Sequence, residues 1–272
     1  MRVIGKSVIR KEAFDKVTGR AKYTADERII DTLHVKIVAS AYGHAKIVSI
    51  KDSLAKQIPG VRAIIVGSDD LPLTGEEIRD RPPIAVDKVR YYGEPVALVV
   101  ADRPEIAQKA AGLIEIQYDQ LPVVNTPTEA LKENASIIHE NLVSYEKLGT
   151  AYPVPNSNIA NVTKIRKGNM DLGWKQSEVQ VEGNYRFSPS SHAAMETRSA
   201  TAEIKPDGYV HITTSSQAPF MVKKLMSLYF GIEVGKIGCR HSFSRGSLWG
   251  KSSCTMGNSR VYRLLKLLGE GA

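Results

Sequence analysis

A histidine and a carboxylate four positions apart are the first side chains in this sequence whose spacing could serve chemistry. On a helix, His192 and Glu196 would share a face, where they could bind a metal ion or relay a proton. However, a strand pattern resumes within a few residues, and no third ligand follows at metal-binding spacing. We therefore interpret the two residues as a hydrogen-bonded structural pair, with neither a metal site nor a catalytic residue assigned here.

Gln217 offers a different kind of chemistry. It closes the polar run Thr213-Thr-Ser-Ser-Gln217 between a predicted strand and a predicted helix. Backbone N–H groups at a helix start, together with a neutral amide, could hold an anionic oxygen. The alternative is a capping segment that carries a surface glutamine. The residues alone leave both interpretations open.

Other motifs for catalysis or cofactor binding are missing. The remaining histidines are scattered singly, at His34, His44, His139, His211 and His241. There is no Gly-x-Ser-x-Gly elbow, dinucleotide fingerprint or phosphate loop. Both cysteines, Cys239 and Cys254, lie near the end, so the residues before them provide no thiolate for an iron–sulfur cluster. Any electron-transfer cofactor is therefore expected on another chain.

The elements that would position these residues begin with a mixed α/β unit predicted over residues 1–125. Its strands are predicted at 33–40, at 61–66 as an interior strand, at 90–92 and 95–101 with a bend at Gly93, and at 114–118. A short helix is predicted at 53–58. A longer helix is predicted to start at Asp102, which would cap it, with Glu105 at capping-box spacing.

A proline-containing connector over residues 126–160, with a short helix at 128–132, is predicted to lead into a second unit at 161–237. Strands are expected in the second unit at 162–166, 179–187, 200–205 and 209–213. Pro206-Asp207-Gly208 is predicted to turn the last two into a hairpin. A helix is predicted over 218–230, with Gly231 as its stop and one apolar face formed by Met221, Leu225, Leu228 and Tyr229.

The basic charge of the chain is concentrated in an atypical tail, residues 238–272. The tail carries six Lys or Arg residues against one acidic residue, and so supplies +5 of the formal net charge of +8. The remaining residues are too weakly basic to favour a nucleic-acid partner. No run of about 18 apolar residues predicts a membrane span, and the first residues lack the apolar stretch of a secretory signal. A cytoplasmic location is expected.

Several stretches in order carry a resemblance to a known family. In the first unit they are Asp15-Lys-Val-Thr-Gly-Arg-Ala-Lys-Tyr23, Ala41-Tyr-Gly-His-Ala-Lys-Ile47, Ile58-Pro-Gly-Val61 and Val89-Arg-Tyr-Tyr-Gly-Glu-Pro-Val-Ala97. In the second they are Gly168-Asn-Met-Asp171, His192 to Thr197 and Ser215-Ser-Gln217. Residues 4–237 resemble the N-terminal third of the molybdenum-containing large subunit of the xanthine dehydrogenase, aldehyde oxidase and carbon monoxide dehydrogenase family.

This resemblance implies an α+β fold, with an α/β hammerhead domain followed by the first part of a molybdopterin-binding domain. It implies hydroxylation of a small-molecule substrate, a purine or an aldehyde, with water as the oxygen source. The cofactor would be molybdopterin, possibly in its cytosine dinucleotide form, with an iron–sulfur subunit and an FAD subunit as partners. By the same resemblance, Gln217 binds the cofactor, its side-chain amide facing the oxo group of the molybdenum.

The tail departs from the family pattern. After the position of Ile237 the family continues with a glycine-rich loop, further pterin contacts and a glutamate base, whereas this chain has Gly238-Cys-Arg-His-Ser-Phe-Ser-Arg. No catalytic residue is therefore assigned. We interpret the tail as a reading-frame slip and expect a truncated subunit that is inactive alone and holds the cofactor poorly. The alternative is a non-catalytic assembly module that binds the iron–sulfur or flavin subunits.

Overall fold

The computed structural model describes residues 4–27, 29–68, 71–147, 149–191 and 193–240, which form two mixed α/β units joined by a connector. The strands are β1 His34–Ala39, β2 Ala45–Lys51, β3 Val61–Val66, β4 Lys88–Val89, β5 Pro95–Ala101, β6 Glu115–Gln120, β7 Ala200–Ile204, β8 Val210–Thr214 and β9 Ile237–Arg240. The α-helices are α1 Ala13–Val17, α2 Ser53–Lys56, α3 Pro104–Ala111, α4 Pro127–Ala130, α5 Met170–Gln176 and α6 Pro219–Phe230. The predicted mixed α/β fold class is confirmed.

Strand β5 is the centre of the first unit. It lies between β1 and β3 in an antiparallel sheet, and all seven of its residues are buried. Side chains alternate across a strand, so its two faces enter different clusters. Leu98 and Val100 pack with Ile65 and Ile84, while Val99 packs with residues of α2 and α3. Burial on both faces explains why β5 is a continuous apolar run.

A second antiparallel sheet, in the order β4-β2-β6, completes the first unit. Its buried cluster contains Ala45, Val89 and Val96, so β5 also packs against this sheet. Gly93, with a φ of 85°, forms the turn before β5, as its conformational freedom allows.

Three predictions for the first unit need correction. Asp102 does not cap α3: the N-cap is Arg103, without a side-chain hydrogen bond, because the Asp102 carboxylate instead accepts from the Arg62 guanidinium at 2.6 and 2.9 Å. The predicted strand at 90–92 is a turn, and the strand before it ends at Val89. The run at 61–66 is an edge strand of the described sheet, since a β-branched run signals burial and not position in a sheet.

The second unit is built on the sheet β7-β8-β9. The predicted hairpin is confirmed: β7 and β8 pair antiparallel, and Gly208, with a φ of 78°, donates its N–H to the Lys205 carbonyl at 2.8 Å. Strand β9 then pairs parallel to β8, with α6 as the crossover. Val210, Ile212 and Ile237 of this sheet form a buried cluster with Val222 and Met226 of α6.

Helix α6 ends at Gly231 as predicted, in the left-handed conformation with a φ of 65°. Its predicted apolar face was only partly right. The buried residues are Val222, Leu225 and Met226, whereas Met221 and Leu228 are each 43% exposed. The helix is apolar on more than one side, so residue spacing did not identify which side meets the sheet.

The strands predicted at 162–166 and 179–187 are absent from the described residues. The alternation in the second segment is real, because one side carries Val179, Val181, Tyr185 and Phe187, and each of these side chains is at least 79% exposed. A strand needs a neighbour for its backbone hydrogen bonds, and no partner strand meets this segment in the described part of the chain. A period-two pattern alone does not make a strand.

Regular structure continues three residues past Ile237, the last residue before the predicted break, because β9 runs to Arg240. Pairing with β8 uses backbone groups, so it does not require an apolar pattern, and Gly238 leaves room for the Tyr209 ring. The remainder of the predicted tail, 241–272 with Cys254 and His241, lies outside the described residues. No helix in the described ranges is long and apolar enough to cross a membrane.

Candidate functional site at the start of helix α6

Gln217 lies in the short link between β8 and α6, where the sequence predicted it. The three residues before it, Thr214, Ser215 and Ser216, are 2%, 5% and 5% exposed, and Gln217 itself is half-buried. The Ser215 hydroxyl accepts from the Ser199 N–H at 3.0 Å, and the Ser215 N–H donates to the Ser199 carbonyl at 3.1 Å. These bonds tie the link to the residue just before β7 and hold the backbone around Gln217 in place.

Helix α6 begins without a side-chain cap. Its N-cap is Ala218, and Pro219 occupies the first turn. The Ser216 hydroxyl accepts from the Ala218 N–H at 3.1 Å. Gln217 is partly exposed, so a capping segment that carries a surface glutamine and a site for an anionic oxygen both stay open as interpretations of this link. A helix start without a capping side chain can offer its first-turn N–H groups to an anionic oxygen.

The other candidate pair lies only partly within the described residues. Glu196 is 7% exposed, which agrees with a structural role, while His192 lies outside the described residues. Within the described ranges, no group of three or more His, Cys, Asp or Glu side chains could hold a metal ion.

A cavity of about 340 Å³ lies where the connector meets the first unit. Its polar lining includes Asp80, His139 and Asn158, which the sequence analysis did not single out for this role. Asn158 accepts from the Ile138 N–H at 2.9 Å and donates to the Ser136 carbonyl at 3.0 Å, so its amide holds the connector together. Burial lowers the pKa of His139, with the Asp80 charge opposing the shift.

One contact between the two units could not be predicted from the sequence. The hydroxyl of Tyr229, near the end of α6, donates to the Gly75 carbonyl at 3.0 Å and accepts from the Gly75 N–H at 3.1 Å. The two residues are 154 positions apart, and neither belongs to a motif. Only the fold could bring them together.

Comparison with known proteins covers both units. Residues 18–122 match the family model of the aldehyde oxidase and xanthine dehydrogenase a/b hammerhead domain, and residues 152–257 match that of the molybdopterin cofactor-binding domain. The chain belongs to the xanthine dehydrogenase and aldehyde oxidase family of molybdenum hydroxylases.

The relatives of this chain are longer proteins. The xanthine dehydrogenase molybdenum-binding subunit of Escherichia coli is 32% identical over 230 residues, which are 80% of this chain and 29% of the relative. The nicotinate dehydrogenase large molybdopterin subunit of Eubacterium barkeri is 28% identical over 92% of this chain and 56% of its own length. The chain thus spans less than a third of the first of these relatives and about half of the second.

A solved structure of a related protein has the same fold over both units. The quinoline 2-oxidoreductase of Pseudomonas putida 86 superposes with a TM-score of 0.86 at 28% identity, over 98% of this chain and 34% of the other. Its match supports the hammerhead and molybdopterin-binding assignment for the two units.

The residues at the start of α6 fit one wall of a site for an oxygen-rich anionic cofactor. The half-buried Gln217 amide can donate hydrogen bonds, and the uncapped helix start adds backbone donors beside it. Both observations belong to the chain itself and are independent of the family match.

Proposed function

We propose that this chain provides part of the cofactor-binding wall of a molybdenum hydroxylase, and that Gln217 is its cofactor-binding residue. The position of Gln217, half-buried beside the uncapped start of α6, carries the proposal. When bound, the molybdenum cofactor supplies the oxidation of a carbon centre with water as the source of oxygen. The substrate class we propose is a purine or an aldehyde.

Gln217 acts as a hydrogen-bond donor in this proposal. Its side-chain amide would donate to an oxygen of the cofactor, and the bond between Ser199 and Ser215 holds the neighbouring backbone. An amide is neutral over the whole physiological range, so the contact does not depend on pH. A preorganised donor of this kind contributes about 3 kcal/mol where charge develops in a reaction.

We also propose the form of the cofactor, the cellular location and the partner subunits. The cofactor would be molybdopterin, possibly as its cytosine dinucleotide, in the cytoplasm. An iron–sulfur subunit and an FAD subunit would accept the electrons, since the described residues hold a single cysteine, Cys239, in place of a cluster-binding set. We propose that the chain alone is inactive and holds cofactor poorly, because Gln217 and the start of α6 form only one wall.

A second candidate function is a non-catalytic assembly module. The observation that favours it is the set of exposed apolar side chains over 179–187, which a partner protein could cover. A pull-down with an iron–sulfur or flavin subunit, without bound pterin, would support this alternative.

The test is to produce the chain in a host that makes the molybdenum cofactor, and to measure molybdenum and pterin per chain together with purine and aldehyde oxidation. We expect molybdenum well below one atom per chain and no turnover. Stoichiometric molybdenum with turnover would refute inactivity.

The role of Gln217 is tested with Gln217→Leu, which removes the amide at similar volume. Any pterin retained by the natural chain should fall in this variant and should be unchanged in Gln108→Leu, a matched substitution at an exposed position of α3. Equal pterin in all three proteins would count against a role for Gln217 in binding.

A further inference from the structure

The contact between Tyr229 and the first unit is more elaborate than ordinary packing. The Tyr229 hydroxyl both donates to and accepts from the backbone of Gly75, at 3.0 and 3.1 Å. The ring lies under the Arg79 guanidinium, whose central carbon is 5.7 Å from the ring centroid. One tyrosine side chain is thus held at its polar tip and on its aromatic face.

The segment that holds Tyr229 is itself fixed at several points. Thr74 and Arg81 exchange backbone hydrogen bonds at 2.7 and 3.0 Å, which closes the loop between them. The Arg79 N–H donates to the Glu146 carbonyl at 2.9 Å, and the Arg79 guanidinium forms an ion pair with the Glu146 carboxylate. The loop therefore binds the connector as well as α6.

Gly75 and Arg79 are suited to this contact. A Cβ atom on Gly75 would overlap the Ile78 carbonyl oxygen, so no other residue fits the loop unchanged. Two guanidinium nitrogens of Arg79, Nε and Nη2, are buried and have no hydrogen-bond partner among the described residues. The attraction between a cation and an aromatic face is stronger where water is excluded. The Tyr229 ring therefore offers these two nitrogens a favourable contact in place of the hydrogen bonds that they lack.

Helix α6 connects this contact to the candidate site. Tyr229 is near the end of the helix, and Gln217 precedes its first residue, Pro219. Twelve residues of α-helix rise about 18 Å, so a tilt of about 10° at one end would move the other by about 3 Å. Displacements of about 1 Å are enough to disturb a reacting geometry.

We propose that Gly75, Arg79 and Tyr229 form an interdomain clasp that fixes α6, and with it Gln217, relative to the hammerhead unit. Tyr229 and Arg79 are positioning residues, which act through the helix and do not touch the cofactor. The functional meaning rests on the role proposed above for Gln217. The clasp itself is testable without any cofactor.

The experiment measures the distance between nitroxide labels on Gln108→Cys of α3 and Lys224→Cys of α6, both exposed positions, in the full chain with Cys239 and Cys254 changed to serine. Tyr229→Phe keeps the ring and removes only the hydroxyl. We expect a narrow distance distribution in the parent and a broader one in this variant. Arg79→Lys, which retains a cation, should broaden it less than Arg79→Gln does.

Hydrogen exchange gives the second readout. The Gly75 amide should exchange about 25-fold faster in Tyr229→Phe, since both hydrogen bonds of the hydroxyl are lost and each changes an opening equilibrium by about fivefold. Tyr185→Phe, at a side chain that is 83% exposed, is the matched control and should change neither readout. Unchanged distances and unchanged Gly75 exchange in Tyr229→Phe would overturn the clasp.

The two proposals fail separately. If the distances respond as expected while pterin retention is indifferent to Gln217→Leu, the clasp stands and the role of Gln217 falls. If pterin retention depends on Gln217 but Tyr229→Phe leaves the distances unchanged, the clasp falls alone.

Discussion

At the residue scale, the candidate site shows what side-chain types and spacing can reveal. The polar run ending at Gln217 was recognisable because it lies between a strand pattern and a helix pattern. Its burial and the missing cap depend on contacts with Ser199 and on the backbone at Ala218, which no local pattern encodes. Tyr229 and Gly75 were not predictable as a pair, because no local pattern reports a contact across 154 residues.

Cys239 should be an unreactive thiol. Its side chain packs against the apolar cluster between α6 and the sheet, and this burial raises the pKa of the thiol to about 11, with Lys223 opposing the shift. The thiolate fraction at pH 8 is then about 0.1%, against about 25% for an ordinary cysteine. Alkylation by iodoacetamide, followed by mass spectrometry of the Cys239 peptide, should be slow at pH 8 and rise steeply toward pH 11.

The control for this measurement is the same chain in denaturant, where the Cys239 thiol regains its ordinary pKa. Equal labelling rates at pH 8 in the folded and denatured chain would show that the cysteine is not shielded.

Glu94 should make the stability of the chain depend on pH. The residue is 2% exposed, and burial raises the pKa of its carboxyl even though the Arg90 N–H donates to it. The folded state therefore binds a proton more tightly than the unfolded state, so the free energy of unfolding falls as pH rises from the ordinary pKa through the raised one. Glu94→Gln should remove this decline.

Urea unfolding of both proteins between about pH 4 and pH 7 checks the sign, because this window begins near the ordinary glutamate pKa. Glu105→Gln, at an exposed position of α3, is the control and should leave the pH dependence in place. A wild-type stability that rises across this window by the same amount in all three proteins would contradict the assignment to Glu94.

At the element scale, whether a predicted strand forms depends on whether a neighbouring strand is present to pair with it. The strands 95–101, 200–204 and 210–214 formed where the sequence placed them, because each meets a neighbouring strand. The equally regular alternation over 179–187 remains without one in the described chain. The capping prediction at Asp102 failed for a related reason, since Arg62 on β3 offers the carboxylate a charged partner.

A substitution in the alternating segment should have little effect on stability. Val181 is 80% exposed, so Val181→Asp is expected to change the free energy of unfolding by no more than about 0.5 kcal/mol. Ile212→Ala, at a β8 side chain that is 1% exposed, should cost about 2–5 kcal/mol. Chemical denaturation measures both, and a loss above about 2 kcal/mol in Val181→Asp would mean that the segment is buried after all.

At the scale of the whole molecule, the family was the most predictable property and the end of the chain the least. The hammerhead and molybdopterin-binding matches agree with motifs that could be quoted from the sequence. The interpretation of residues 238–272 as frameshifted remains a prediction, although β9 extends to Arg240 and the second family match extends to residue 257.

The coding DNA decides that interpretation. If a frame slip follows codon 237, the alternative frame should restore a glycine-rich loop followed by a helix pattern, without early stop codons. Sequencing across codons 230–272 is the measurement. An alternative frame that lacks this loop, or that is interrupted by stops, would establish the tail as the encoded one.

The strand order β1-β5-β3 has a consequence during synthesis. Among the described residues, both outer strands, His34–Ala39 and Val61–Val66, pair in their sheet only with Pro95–Ala101, and that strand is translated last of the three. As the nascent polypeptide leaves the ribosome, the backbone N–H and C=O groups of the two early strands therefore stay unpaired until the central strand emerges. The sheet is therefore complete only after its middle strand is released, and until then its unpaired edges can join a neighbouring chain.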